Sequence, residues 1–195
     1  LEEQVKAAID MDAGGLEPAD PPAVTLAPGA GPRHVVFDPS GERLYSINEL
    51  DSTITVLRYD TASGGLEEVQ TISTLPGDFE GESWTAEIAI SPDGRYVAHV
   101  LNDEGTRSLW VTQVSTSSSV EIVPASDDIV FDPTFSPDGD FIYYVRRELG
   151  GPSTVSTSSE RVWRSSMKSL SLQTTTTGVS VAPSSASACS PASSV

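Results

Sequence analysis

Apolar and polar residues alternate in short runs of period two, and no segment carries the 3.6-residue period of an amphipathic helix. Three runs share one layout: HVVFDPSGERLYSINE (34–49), EIAISPDGRYVAHVLND (87–103) and DPTFSPDGDFIYYVRRE (132–148). Each is a short apolar strand, a Pro-x-Gly turn and a second alternating strand. In Ser91-Pro92-Asp93-Gly94 the proline is well placed to open a turn and the glycine to leave it. Ser136-Pro137-Asp138-Gly139 repeats the turn, and Asp38-Pro39-Ser40-Gly41 varies it. The turns start at 38, 91 and 136, so the spacings are 53 and 45 residues, the size of a four-stranded propeller blade. Two more strands fit each interval. TITVLRYD (53–60) and LEEVQTIST (66–74) follow the first hairpin, joined by a Gly-Gly turn; SLWVTQV (108–114) and SVEIVP (119–124) follow the second.

The pattern predicts an all-β fold: an incomplete β-propeller of four-stranded antiparallel blades over residues 1–150. A generic antiparallel sandwich is the alternative, but it does not account for the near-equal repeats. Two blades and a half, with a fragment before residue 30, fall short of the 4–8 blades that typically close a ring. An unclosed array leaves bare strand edges, so either self-association through them or truncation of a longer propeller is expected. The chain begins at Leu1 rather than Met, which suggests a piece of a longer protein. Residues 151–195 differ in kind. They hold 15 Ser and 6 Thr, with Thr174 to Thr177 in a row, and are expected to form a low-complexity, disordered C-terminal tail.

Charge narrows the partners. Residues 1–150 hold 8 Lys/Arg against 27 Asp/Glu, and the whole chain carries −17. Such a body repels phosphate backbones and anionic lipid, so neither nucleic acid nor membrane is an expected partner. No apolar run approaches the ~20 residues that span a bilayer, and a cytoplasmic location is expected. Cys189, in the tail, is the one cysteine, and His34 and His99 are the two histidines. Neither a disulfide framework nor a thiolate site can be built, and no metal or other cofactor is expected.

The stretch GPRHVVFDPSGERLYSINEL (31–50) carries the candidate chemistry. The start of one strand and the end of the next share one end of a hairpin, so Arg33, His34, Asn48 and Glu49 fall on one rim. In a propeller the first strand of a blade lines the central channel, and that rim borders the channel mouth. A guanidinium there can bind an anionic group or a forming oxyanion. A partly desolvated carboxylate can activate water and return a proton to a leaving oxygen. His34 is a candidate second base or orienting group. An Arg33–Glu49 surface ion pair without chemistry, worth about 0–1 kcal/mol, fits the same pattern.

GPRH, the NEL of 48–50 and the segment Trp84-Thr85-Ala86-Glu87-Ile88 are long and specific motifs. Over about residues 15–97 the chain resembles the lactonase family of seven-bladed propellers, the 6-phosphogluconolactonase type. The resemblance implies hydrolysis of a sugar-acid lactone, a small-molecule substrate, without a metal. It places the family's arginine and glutamate on Arg33 and Glu49, as implied substrate-binding and acid/base residues. With the rim geometry, Arg33, His34 and Glu49 are the expected catalytic residues, and Arg33 and Asn48 the expected substrate-binding ones. There are departures. Ala89 stands where the family usually has histidine, and Leu101-Asn102-Asp103 where an arginine is expected. From about residue 90 to 148 the chain resembles TolB-type, WD-like repeats, which bind partners or sense. A noncatalytic binding or sensor module, or an inactive fragment, is therefore the alternative function.

Overall fold

A computed structural model describes residues 3–10, 15–77 and 79–159. The described residues form strands joined by turns. β1 (Glu3–Asp10) and β2 (Gly15–Thr25) pair antiparallel. β3 (Pro32–Phe37), β4 (Arg43–Asn48), β5 (Thr53–Asp60) and β6 (Gly65–Ser73) make a four-stranded sheet in chain order. β7 (Ser83–Ile90), β8 (Tyr96–Asp103), β9 (Thr106–Gln113) and β10 (Ser118–Ser126) make a second. β11 (Ile129–Phe135), β12 (Phe141–Arg147) and β13 (Ser153–Ser159) make a three-stranded third. These are the meandering blades of an incomplete propeller. Gly-Gly-Leu-Glu occurs at 14–17 and again at 64–67, so β1 and β2 correspond to the last two strands of a preceding blade.

The third sheet includes part of the Ser/Thr-rich stretch. Ser153–Ser159 pair with β12 along their whole length, from Arg147↔Ser153 to Phe141↔Ser159. The backbone edge of β12 needs hydrogen-bond partners whatever the side chains are, and a Ser/Thr-rich segment supplies them on an exposed strand. The first part of the Ser/Thr-rich stretch, Ser153–Ser159, thus forms the last described strand of the third blade. The rest of that tail, residues 160–195 with Cys189, lies outside the described residues.

The turns follow from their residues. Ser91 Oγ donates to Asp93 Oδ1 (2.6 Å) and accepts from the Tyr96 amide (3.0 Å), while the Gly94 amide donates to the Ser91 carbonyl (2.8 Å). Gly94 sits at φ +70, which glycine adopts without strain. Ser136 repeats this, with the Phe141 amide donating to its Oγ at 3.0 Å. The Ser136 hydroxyl and the Asp140 amide also hold the Asp138 carboxyl below its usual range.

Strand alternation sends successive residues of β8 into two different cores. Tyr96, Ala98 and Val100 face the third blade and pack with Leu109, Val111, Val130, Phe135, Ile142 and Tyr144. Val97 turns the other way, onto Tyr45, Ile47, Ile54, Val56 and Ile72 of the first blade. The outer faces of the array stay open. Val35 and Phe37 on β3, and Phe141, Tyr143 and Val155 on the third sheet, are large apolar side chains left exposed. Among the described residues no helix is long and apolar enough to cross a membrane.

Candidate active site

β3, β7 and β11, the first strands of the three blades, lie side by side, with β7 between the other two. Each carries a break in register near its start: between Pro32 and His34, between Ala86 and Ile88, and between Phe131 and Thr134. A bulge of this kind leaves one residue outside the ladder and re-aims its side chain. Arg33 occupies the first bulge and Glu87 the second.

The rim expected from the sequence is present. Across it the Glu49 amide donates to the Gly31 carbonyl (2.8 Å) and the Leu50 amide to the Ala30 carbonyl (3.1 Å). These bonds prolong the β3–β4 pairing beyond the strands and bring Glu49 beside Arg33. Arg33 Nε lies 3.7 Å from Glu49 Oε2. On its other side Arg33 Nη1 lies 3.6 Å from Glu87 Oε1. The second oxygen of Glu87, Oε2, lies 3.9 Å from His34 Nδ1. One guanidinium therefore sits between two carboxylates from adjacent blades, and one carboxylate spans Arg33 and His34. The side chains are one-quarter to one-half exposed: Glu87 25%, Arg33 34%, Glu49 42% and His34 45%. The group is open to a solute yet partly shielded from water.

Asn48 has a different position from its neighbours. It is 1% exposed and turned into the blade. Its Nδ2 donates to Thr53 Oγ1 (2.8 Å) and Thr55 Oγ1 (2.9 Å), and Ser46 Oγ donates to its Oδ1 (3.3 Å). An amide engaged in this way ties β4 to β5. Its carbonyl accepts from Thr85 Oγ1 of β7 at 2.7 Å. Ser52 Oγ donates to the Ser83 carbonyl at 2.8 Å a few residues away. These two bonds stitch the second blade to the first beside the Arg33–Glu87 contact.

Glu87 lies within the Trp84-Thr85-Ala86-Glu87-Ile88 motif, which by itself assigns it no role. The missed signal was positional. Glu87 stands four residues before the Ser-Pro-Asp-Gly turn, as His34 stands four before Asp38. Equivalent positions on neighbouring inner strands meet at the channel. Of the other polar residues, Arg146 donates through Nε and Nη2 to Asp128 Oδ2. His99 is fully buried, with Nε2 2.9 Å from Thr112 Oγ1, and burial pushes its pKa down to about 3. It is a core residue of the second blade. Beside the rim a hollow of about 330 Å³ is lined by Leu50, Asp51, Glu82 and Trp84, among others. No group of three or more His, Cys, Asp or Glu among the described residues is arranged to hold a metal.

The family described as lactonase, 7-bladed beta-propeller, matches residues 6–160. The chain belongs to that lactonase family. It is 46% identical over 109 residues to a 6-phosphogluconolactonase of Cronobacter sakazakii, covering 56% of this chain and 32% of the relative. It is 42% identical over 96 residues to that of Pectobacterium carotovorum, covering 49% of this chain and 28% of the relative. The chain thus spans about a third of the length of these relatives. Among solved structures, a putative 6-phosphogluconolactonase from Bacteroides fragilis superposes with TM-score 0.53 at 23% identity, covering 78% of this chain and 47% of that one. TolB from Acinetobacter baumannii superposes with TM-score 0.50 at 16% identity, over 80% of this chain and 35% of that one. At these identities the two structures speak for the propeller fold alone. The family match runs past residue 97, through the repeats that look TolB-like.

Proposed function

We propose that this lactonase-family chain contributes to the hydrolysis of a sugar-acid lactone of the 6-phosphogluconolactone class. The observation that carries the reading is the Arg33–Glu49 pair at 3.7 Å on the channel rim. It sets a cation beside a candidate base at a partly exposed site. In the reaction, the water oxygen attacks the ring carbonyl carbon while Glu49 accepts the water proton. Arg33 binds the anionic group of the substrate or the oxyanion that forms at the carbonyl. The bond from the carbonyl carbon to the ring oxygen then breaks, and the proton held by Glu49 passes to that oxygen. The product is the open-chain hydroxy acid, and the carboxylate base is restored. His34, exposed next to Arg33, orients the substrate or acts as a second base. Asn48 is left out of substrate contact because its amide is used within the blade.

Matches to relatives named 6-phosphogluconolactonase support the choice of lactone, and the paired Arg33 and Glu49 support the choice of chemistry. The test is to compare hydrolysis of the phosphorylated lactone and of unphosphorylated gluconolactone with their spontaneous rates. Acceleration with preference for the phosphorylated ring is expected. A chain that changes neither rate contradicts the proposal.

A further inference from the structure

We infer that Glu87 is the fixed anchor of Arg33, a positioning residue, while Glu49 is the partner that Arg33 exchanges for substrate. The functional consequence rests on the lactonase reading above; the anchoring itself does not. Three observations carry it. Glu87 lies near two side chains, Arg33 at 3.6 Å and His34 at 3.9 Å, whereas Glu49 lies near one, Arg33. Glu87 is also the less exposed carboxylate, at 25% against 42%. Its strand is held to the first blade on both sides of the seam by Thr85 and Ser52.

Backbone conformation points the same way. Glu87 sits at φ +56, in the left-handed region that Asn and Asp occupy far more readily than Glu. At the corresponding bulge of the third blade stands Asp132, at φ +55. A residue less suited to the bulge occupies the one place where an extra methylene lets the carboxylate reach Arg33 and His34. Strain retained at such a position is characteristic of functional sites. With Glu87 holding one edge of the guanidinium, Arg33 keeps its aim when Glu49 turns to the attacking water.

The test uses the full chain labelled with ¹⁵N, following the Arg33 Nε–H signal, assigned through its loss in Arg33→Ala. Glu87→Asn suits the bulge backbone and removes the reach of the carboxylate, so the variant is expected to melt no lower than the parent. Loss of Arg33 side-chain order in Glu87→Asn, to order parameters below about 0.6, with order kept in Glu49→Gln, is the expected result. Unchanged order in Glu87→Asn, or equal loss in both variants, overturns the proposal. If Glu87→Asn does not fold, the same measurement on Glu87→Asp decides. Its carboxylate falls one methylene short, and an Arg33 as ordered as in the parent overturns the proposal. Turnover adds a test of opposite sign. Removing a negative charge beside an anionic substrate lowers KM if charge alone matters. A misaimed Arg33 instead raises KM about tenfold, as losing one charged hydrogen bond does, and a lowered KM counts against anchoring. An ordered Arg33 that loses order in Glu87→Asn, in a chain without lactonase turnover, supports the anchor and contradicts only the enzymatic reading.

Discussion

Arg33 of the first blade and Glu87 of the second meet at 3.6 Å across the seam between their sheets. Residues 54 positions apart in sequence come together because each occupies a bulge on the innermost strand of its blade. The seam is then pinned by Thr85 donating to the Asn48 carbonyl and Ser52 to the Ser83 carbonyl. Site geometry and blade packing are therefore coupled.

Gly31 sets the position of Glu49. Its φ is +66, and a Cβ there stands 2.5 Å from Leu50 Cγ. Gly31→Ala strains the backbone and pushes Leu50, displacing the Glu49 amide from the Gly31 carbonyl. The expected loss of stability is about 1–3 kcal/mol, with any lactonase turnover falling further than stability alone explains. An unchanged melting temperature contradicts this role.

Asn48 is a test of structure. Asn48→Ala removes two donors from Thr53 and Thr55 in a buried setting. A cost of about 1–3 kcal/mol is expected in urea unfolding. Arg58→Ala, which removes the exposed pair with Glu67, is the control and should stay within about 0.5 kcal/mol. Equal effects from the two variants would contradict the assignment.

The sequence showed strand alternation, turn chemistry and blade spacing well, because these are local. It placed Arg33 and Glu49 on one rim because a hairpin's geometry is fixed by its turn. It did not reveal which way Asn48 points, which depends on the Thr53 and Thr55 hydroxyls of the next strand. Nor did it give Glu87 a role, since the contact with Arg33 forms only when two blades pack. Ser153–Ser159 showed no apolar strand pattern, because pairing with an edge is a demand of the β12 backbone.

His99 makes stability depend on pH. Its folded pKa lies near 3, pushed down from 6.5 by burial. Below pH 6.5 the unfolded chain takes up a proton that the folded chain refuses. Its contribution is therefore full above pH 6.5 and is lost as pH falls toward 3. The loss amounts to about 2 kcal/mol between pH 7 and pH 5. His99→Gln should remove that component from the pH dependence of urea midpoints. An unaltered slope in the variant places the acid sensitivity elsewhere.

The most direct measurement is the rate of 6-phosphogluconolactone hydrolysis by the parent chain, Arg33→Ala and Glu49→Gln, each checked for an unchanged melt. The parent should exceed the spontaneous rate. Each variant should lose about 100-fold or more, the usual cost of removing a charge stabiliser or a general base. Variants that hydrolyse the lactone at the parent rate would contradict the account.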